Sequence, residues 1–200
     1  MPEETNNQEN QNQSPVASFG LFLWDLVKIF LLAMIIILPV RTFLAEPFMV
    51  SGSSMIPNFH DKDYLIVDRL SYRMHNPQRG DVIVLKFPKD TTQYFIKRII
   101  GLPGETVICE QGRVAVEASG EAAPQILAET YLPSTALTQN CKPKQVLGSD
   151  EYFVLGDNRM ASSDSRVWGI LPKDDIVGRV WLRIFPFHDF GFMATPSYAQ

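Results

Sequence analysis

The sequence predicts a mainly β protein: an antiparallel β-sheet domain preceded by a single N-terminal transmembrane helix. Three observations carry this expectation. A polar head gives way at Phe19 to an almost continuous apolar stretch. After Pro47, short runs rich in Val, Ile and aromatic residues recur between Gly, Pro and Asp. No helical period separates those runs, so they are expected to pair antiparallel rather than through crossover helices.

Residues 1–18 hold Glu, Asn, Gln, Pro and Ser with almost nothing to bury, which reads as a disordered tail. Phe19 to Val40 is 22 residues, roughly 33 Å as a helix and enough to cross a bilayer core. Asp25 and Lys28 interrupt it at helical i,i+3 spacing and can pair, and Lys28 can snorkel toward headgroups. The cleaner apolar run, Ile29–Val40, lets the span slide toward 26–46. Twelve unbroken apolar residues after a polar tail favour a membrane span over a buried core helix. A cleaved signal peptide would need small residues in an A-x-A arrangement, and RTFLAEPF puts bulky Phe43 two residues before Ala45. An uncleaved anchor over 19–45 is therefore expected. Charge gives its orientation only through Lys28, because the tail lacks Lys and Arg and Arg41 follows the span.

The β domain is expected over 46–200. Its candidate strands are DYLIVDRL (63–70), DVIVLKF (81–87), YFIKRII (94–100), TVICEQGRVAV (106–116), EYFVLG (151–156) and GRVWLRIF (178–185). Gln111-Gly112 reads as a hairpin turn inside the fourth run. Residues 117–150 are poorer in strand signals and hold three prolines, which suggests an extended insertion.

The net charge of −4 and the lack of a basic face or arm argue against a nucleic-acid partner. His60, His75 and His188 are scattered without an H-x-x-x-H pair, so no metal is expected. Neither a phosphate-cradling G-x-x-x-x-G-K-[ST] loop nor a G-x-S-x-G elbow is present. Cys109 and Cys141 fit no zinc spacing. They are either two buried thiols or one disulfide, the second requiring an oxidising compartment.

VSGSSMIPN at 50–58 combines small residues with three serines directly after the apolar segment. A reactive serine needs a base, and a lysine serves if burial lowers its pKa from ~10.4 toward ~7–8. In YFIKRII, strand alternation puts Lys97 on one face with Phe95 and Ile99, and Arg98 on the other with Ile96. Lys97 is thus a candidate for a desolvated amine, although most strand lysines are simply surface groups. The third cluster, GDNRMASSDSRVWG at 156–169, sets Asp157, Arg159, Asp164 and Arg166 among serines. It reads either as a polar surface loop or as a loop braced by Asp–Arg pairs that presents a hydroxyl.

Together these stretches resemble bacterial type I signal peptidases. GSSMIP is similar to the family's nucleophile segment, RGDVIVLKFP to a segment that opens a strand, FIKRIIGLPGE to the base segment, and GDNRMASSDSRVWG to its last motif. All four follow in the family's order across residues 46 to about 185. The resemblance implies a membrane-bound serine endopeptidase that removes signal peptides from exported preproteins after Ala-x-Ala-like sites. Ser54 matches the nucleophile, Lys97 the general base and Ser162 a hydroxyl that orients the lysine. Arg98, Asp157, Asp164 and Arg166 match positions that brace the site. Backbone N–H groups of Gly52, Ser53 and Ser54 are the expected oxyanion donors, because Gly52 stands where some members carry a second hydroxyl. Met160-Ala161 replace a more polar pair, and the insertion is short beside that of the larger members.

The resemblance also implies no cofactor, and preprotein signal peptides and membrane lipid as partners. It further implies a monomer beside the secretion machinery, anchored once in the bacterial inner membrane. Its tail would be cytoplasmic and its catalytic domain outside, where a Cys109–Cys141 disulfide becomes more favourable. Phe43, Leu44, Phe48, Met49, Met55, Ile56 and Phe59 read either as an apolar skirt dipping into the membrane surface or, for some of them, as core residues. The terminal SYAQ spaces Ser197 and Ala199 like a cleavage site, or is simply a disordered end. The competing readings are a self-cleaving Ser-Lys repressor domain, opposed by the membrane segment, and a tethered β module without catalysis.

Overall fold

The computed structural model describes residues 15–39, 45–118, 120, 123–142, 144–196 and 198. The chain divides into two units, Met1–Thr42 and Phe43–Gln200.

The first unit holds one helix, α1, over Pro15–Pro39. Proline suits a first helical turn, where its missing N–H has no partner to lose. The helix therefore starts ahead of Phe19, inside the stretch expected to be a disordered tail, and the rest of that tail lies outside the described residues. Residues 40–44 of the expected anchor lie outside the described residues. Phe19–Leu38 is long and apolar enough to cross a membrane, and none of it is buried within the fold. Asp25 and Lys28 pair at 3.1 Å, and Lys28 Nζ lies 5.8 Å from the Trp24 ring centre.

The second unit is antiparallel β. Its strands are β1 Ala45–Met49, β2 Tyr64–Asp68, β3 Val82–Phe87, β4 Asp90–Gly101, β5 Thr106–Glu110, β6 Arg113–Glu117, β7 Gln125–Ile126, β8 Lys144–Val146, β9 Glu151–Leu155, β10 Leu171–Pro172, β11 Ile176–Phe185 and β12 Gly191–Phe192. Two short helices interrupt them, α2 Ser71–Met74 and α3 Ser165–Trp168. One eight-stranded sheet runs β1-β2-β11-β3-β4-β9-β10, with β12 also on β11. A four-stranded sheet runs β7-β6-β5-β8.

The six expected strand segments are all present. Strand β1 carries no alternating signature because Pro47 interrupts it, yet it pairs with β2 from Ala45↔Asp68 to Met49↔Tyr64. It is an edge strand, where a missing N–H costs no ladder bond. Strand β4 begins earlier than its apolar run, because the Thr-rich arm Asp90–Gln93 continues a hairpin with β3. Gln111 and Gly112 turn with φ of 51° and 77°, the left-handed pair that a tight hairpin demands. The insertion contributes β7 and β8, which flank that hairpin. Cys109 and Cys141 are disulfide-bonded with Cα atoms 5.7 Å apart, tying β5 to the insertion.

Burial explains the pattern of β3. Val82 and Val84 pack with Val50, Met55, Phe59, Leu65, Val67 and Val180 on one side. Ile83 and Leu85 pack with Ile99, Tyr152, Val154, Trp168 and Leu171 on the other. A strand covered on both faces reads as a continuous apolar run rather than an alternation. A third cluster, including Ile100, Val107, Phe153 and Leu155, joins the two sheets.

The apolar skirt loses two of its members to the core. Met55 and Phe59 are core residues, 1% and 2% exposed. The N–H groups of Asn58 and Phe59 both donate to Met55 O, and this turn folds the segment back under the sheet. Phe48 is half-buried, Met49 and Ile56 are exposed, and Phe43 and Leu44 lie outside the described residues. Ser197, Ala199 and Gln200 of the terminal SYAQ also lie outside them.

Candidate active site

The loop after β1 is closed by Val50, whose N–H donates to Asp63 O and whose carbonyl accepts from Lys62 N, each at 2.9 Å. Inside it, Gly52 has φ +97°, a conformation that favours glycine. The Gly52 N–H donates to Asp61 Oδ1 at 2.9 Å. It is therefore occupied, which corrects the expectation that Gly52 offers an oxyanion donor. The N–H groups of Ser53 and Ser54 have no acceptor among the described residues. Their carbonyls are held: Ser53 O accepts from Asn158 Nδ2 and Ser54 O from Asn158 N, each at 3.0 Å.

Lys97 arrives from the middle of β4, opposite Ile83 on β3. Its Nζ lies 2.8 Å from Ser54 Oγ and donates to Ile96 O, also at 2.8 Å. The Phe95 ring centre is 5.3 Å away. Lys97 is 3% exposed. Burial lowers its pKa to about 8, against the opposing pull of Asp164 and Asp157. A hydroxyl next to an amine that sheds its proton near neutrality can react as a nucleophile.

Ser162 does not make the hydrogen bond to Lys97 that the resemblance implies. Its Oγ is buried without a partner among the described residues. It is wedged against Gly156, where an added Cβ would stand 2.1 Å from Ser162 Oγ and 2.5 Å from Ser54 O. Only glycine permits that convergence, and Ile96 O satisfies Lys97 in the serine's stead.

Behind the pair lies a network of buried charges. Arg98 grips Asp157 through Nε and Nη2 at 2.8 and 2.7 Å and donates from Nη1 to Gly80 O. Asn58 Nδ2 bridges Asp157 Oδ2 at 2.8 Å and Tyr131 O at 3.0 Å. Asp164 accepts from Gly156 N at 3.0 Å and from Nε and Nη2 of Arg166 at 2.8 Å each. Arg166 in turn donates to Arg159 O at 2.7 Å. Arg159 bonds Glu129 and Thr138 in the insertion, and the Tyr131 ring centre lies 4.0 Å from the Arg98 guanidinium. A pocket of about 240 Å³ opens beside Ser54 and Lys97, lined by Phe48, Val50, Ser51, Leu65, Ile96 and Ser163 among others. Among the described residues no three His, Cys, Asp or Glu side chains gather as metal ligands.

A family model described as signal peptidase, peptidase S26, matches residues 23–185. The chain belongs to this family. Members of the signal peptidase family are serine endopeptidases that remove signal peptides from preproteins. The chain is 36% identical to a probable signal peptidase I-1 of Synechocystis sp., over 92% of this chain and 94% of that relative. It is 38% identical to a signal peptidase I of Leptolyngbya laminosa, over 87% and 85%. It is 33% identical to a signal peptidase I of Bacillus amyloliquefaciens, over 92% and 97%.

Within this signal peptidase chain, sequence reasoning missed Asn58, Asn158, Glu129 and Tyr131. The two asparagines stand inside quoted motifs, GSSMIPN and GDNR, which was the available signal. Glu129 and Tyr131 carry none, because the arginines they serve, Arg159 and Arg98, lie 28 or more residues away.

Proposed function

We propose that the chain cleaves signal peptides from exported preproteins with Ser54 as nucleophile and Lys97 as general base. The observation that carries this reading is the 2.8 Å approach of a buried amine to the Ser54 hydroxyl. Neutral Lys97 takes the Ser54 proton as Oγ attacks the scissile carbonyl. The bond to the leaving amine breaks, the lysinium returns the proton to that amine, and an acyl-enzyme ester remains. Lys97 then takes a proton from water as it attacks the ester, and gives it to Ser54 Oγ as the ester bond breaks and the new carboxylic acid leaves. The Ser54 N–H is the oxyanion donor. The small apolar pocket favours small side chains before the cut by excluding bulk.

The further parts of the reading concern placement. Phe19–Leu38 anchors the chain once in the bacterial inner membrane, with lipid as its second partner, the tail inside and the β domain outside. A disulfide in that domain supports the outer side, because such bonds persist in oxidising compartments. The enzyme acts as a monomer without a cofactor.

The test is cleavage of a preprotein by the detergent-solubilised full chain. Ser54→Ala and Lys97→Ala are each expected to lose about 10⁴-fold or more. Wild-type activity is expected to rise with pH toward a plateau above about 8, as Lys97 becomes neutral. Cleavage by either variant at the wild-type rate, or activity unchanged well below pH 6, overturns the assignment.

A further inference from the structure

We infer that Asn158 is a positioning residue that aims the Ser54 N–H at the oxyanion. The inference rests on the Ser54–Lys97 reading and adds to it a group that neither touches substrate nor carries charge. A trans peptide unit is planar, so its carbonyl and its N–H point in opposite directions. The Ser53 carbonyl and the Ser54 N–H belong to one such unit. Asn158 Nδ2 donates to that carbonyl at 3.0 Å, the shorter of its two bonds, the other coming from Ile56 N at 3.3 Å within the same turn. The Ser54 N–H is thereby turned to the opposite side, and it has no acceptor among the described residues.

A second bond removes the remaining freedom. The Asn158 main-chain N–H donates to Ser54 O at 3.0 Å, which fixes the next peptide unit. One residue thus clamps both sides of the nucleophile's α-carbon. The clamp also polarises the amide, since a carbonyl that accepts a hydrogen bond makes the N–H of its own unit a stronger donor. Gly52 cannot substitute, because Asp61 occupies its N–H. Asn158 itself is anchored from both sides: Asp157 before it is gripped by Arg98, and its own carbonyl accepts from Ala161 N at 3.1 Å.

The experiment uses Asn158→Ala and Asn158→Asp in the full chain. The aspartate keeps the size and the main-chain bond to Ser54 O but cannot donate to Ser53 O. Both variants are expected to lower kcat about 10- to 1,000-fold with KM within threefold of wild type. The pH midpoint set by Lys97 near 8 should not move in Asn158→Ala, whereas the added carboxylate of Asn158→Asp should push it upward, so kcat is compared on the high-pH plateau. A peptide boronic acid that bonds to Ser54 Oγ and places an oxygen where the oxyanion forms is the second readout. Its affinity should fall in step with kcat while the unfolding midpoint of Asn158→Asp stays near wild type, a combination that a loosened loop would not produce. The inference is overturned if Asn158→Asp keeps kcat within threefold of wild type, or if KM rises while boronate affinity is unchanged. Ser54→Ala run in parallel separates the two ideas. An inactive Ser54→Ala beside a fully active Asn158→Asp sinks the positioning role alone, whereas an active Ser54→Ala sinks the nucleophile as well.

Discussion

The two sides of the site treat their polar atoms in opposite ways. On the reactive side the Ser53 and Ser54 N–H groups have no acceptor, and Ser162 Oγ is buried without a partner among the described residues. On the bracing side every carboxylate oxygen of Asp157 and Asp164 accepts a hydrogen bond. Of these only the Ser162 Oγ is buried, and a buried group left unpaired costs about 1–3 kcal/mol, so it persists only where the surroundings over-determine it. The saturated network is what lets the reactive side stay open. A nucleophile needs idle donors nearby, and a scaffold of arginine–carboxylate pairs holds them idle.

This contrast can be broken by measurement. The largest effect is expected on the saturated side. Asp157→Ala leaves the Arg98 guanidinium buried without its carboxylate, at a cost of about 3–5 kcal/mol in denaturant unfolding. An unchanged unfolding midpoint would mean that the network carries no weight. Next, the disulfide encloses the stretch that supplies Glu129, Tyr131 and Thr138 to Arg159 and Arg98. Replacing both cysteines by serine should cost about 3–4 kcal/mol.

The open side should respond with the opposite sign. Folding lowers the Lys97 pKa from 10.5 to about 8, so between these values the unfolded chain binds more protons. Stability therefore rises with pH across that window, and the penalty of burying the amine is complete below it. Lys97→Met should accordingly stabilise the protein by on the order of 3 kcal/mol at pH 7, with the gain fading as pH approaches 10.5. A destabilised methionine variant would show that Lys97 belongs with the saturated half. The smallest effect is expected at the exposed Lys144–Glu117 pair, 3.1 Å apart, where Lys144→Ala should change stability by less than about 1 kcal/mol.

Much of this division is legible in the sequence. Strands covered on one or both faces announce themselves, and the alternation in YFIKRII put Lys97 on an apolar face. Of the two readings of 156–169, the braced loop holds for one pair, Asp164 with Arg166, while Asp157 and Arg159 find Arg98 and Glu129 outside it. Long-range polar pairing was not legible. Asn58 meets Asp157 across 99 residues and Arg98 meets it across 59, and no local pattern encodes either distance. The capture of the Gly52 N–H by Asp61 depends on how the loop folds back, as does the burial of Met55 and Phe59. The resemblance supplied Ser162 as a partner for Lys97, but that hydroxyl sits in the space left by the missing side chain of Gly156 and bonds nothing among the described residues.

The pocket beside Ser54 also defines what can poison the site. A small electrophile entering its roughly 240 Å³ meets a hydroxyl and an amine 2.8 Å apart. As pH rises past about 8 that amine is increasingly uncharged and is a nucleophile in its own right. A compact reagent with two electrophilic atoms at that spacing would staple Ser54 to Lys97. Phe48, Leu65 and Ile96 would turn away a bulky one of the same reactivity. Shape, rather than warhead strength, would then set which covalent inhibitors take hold.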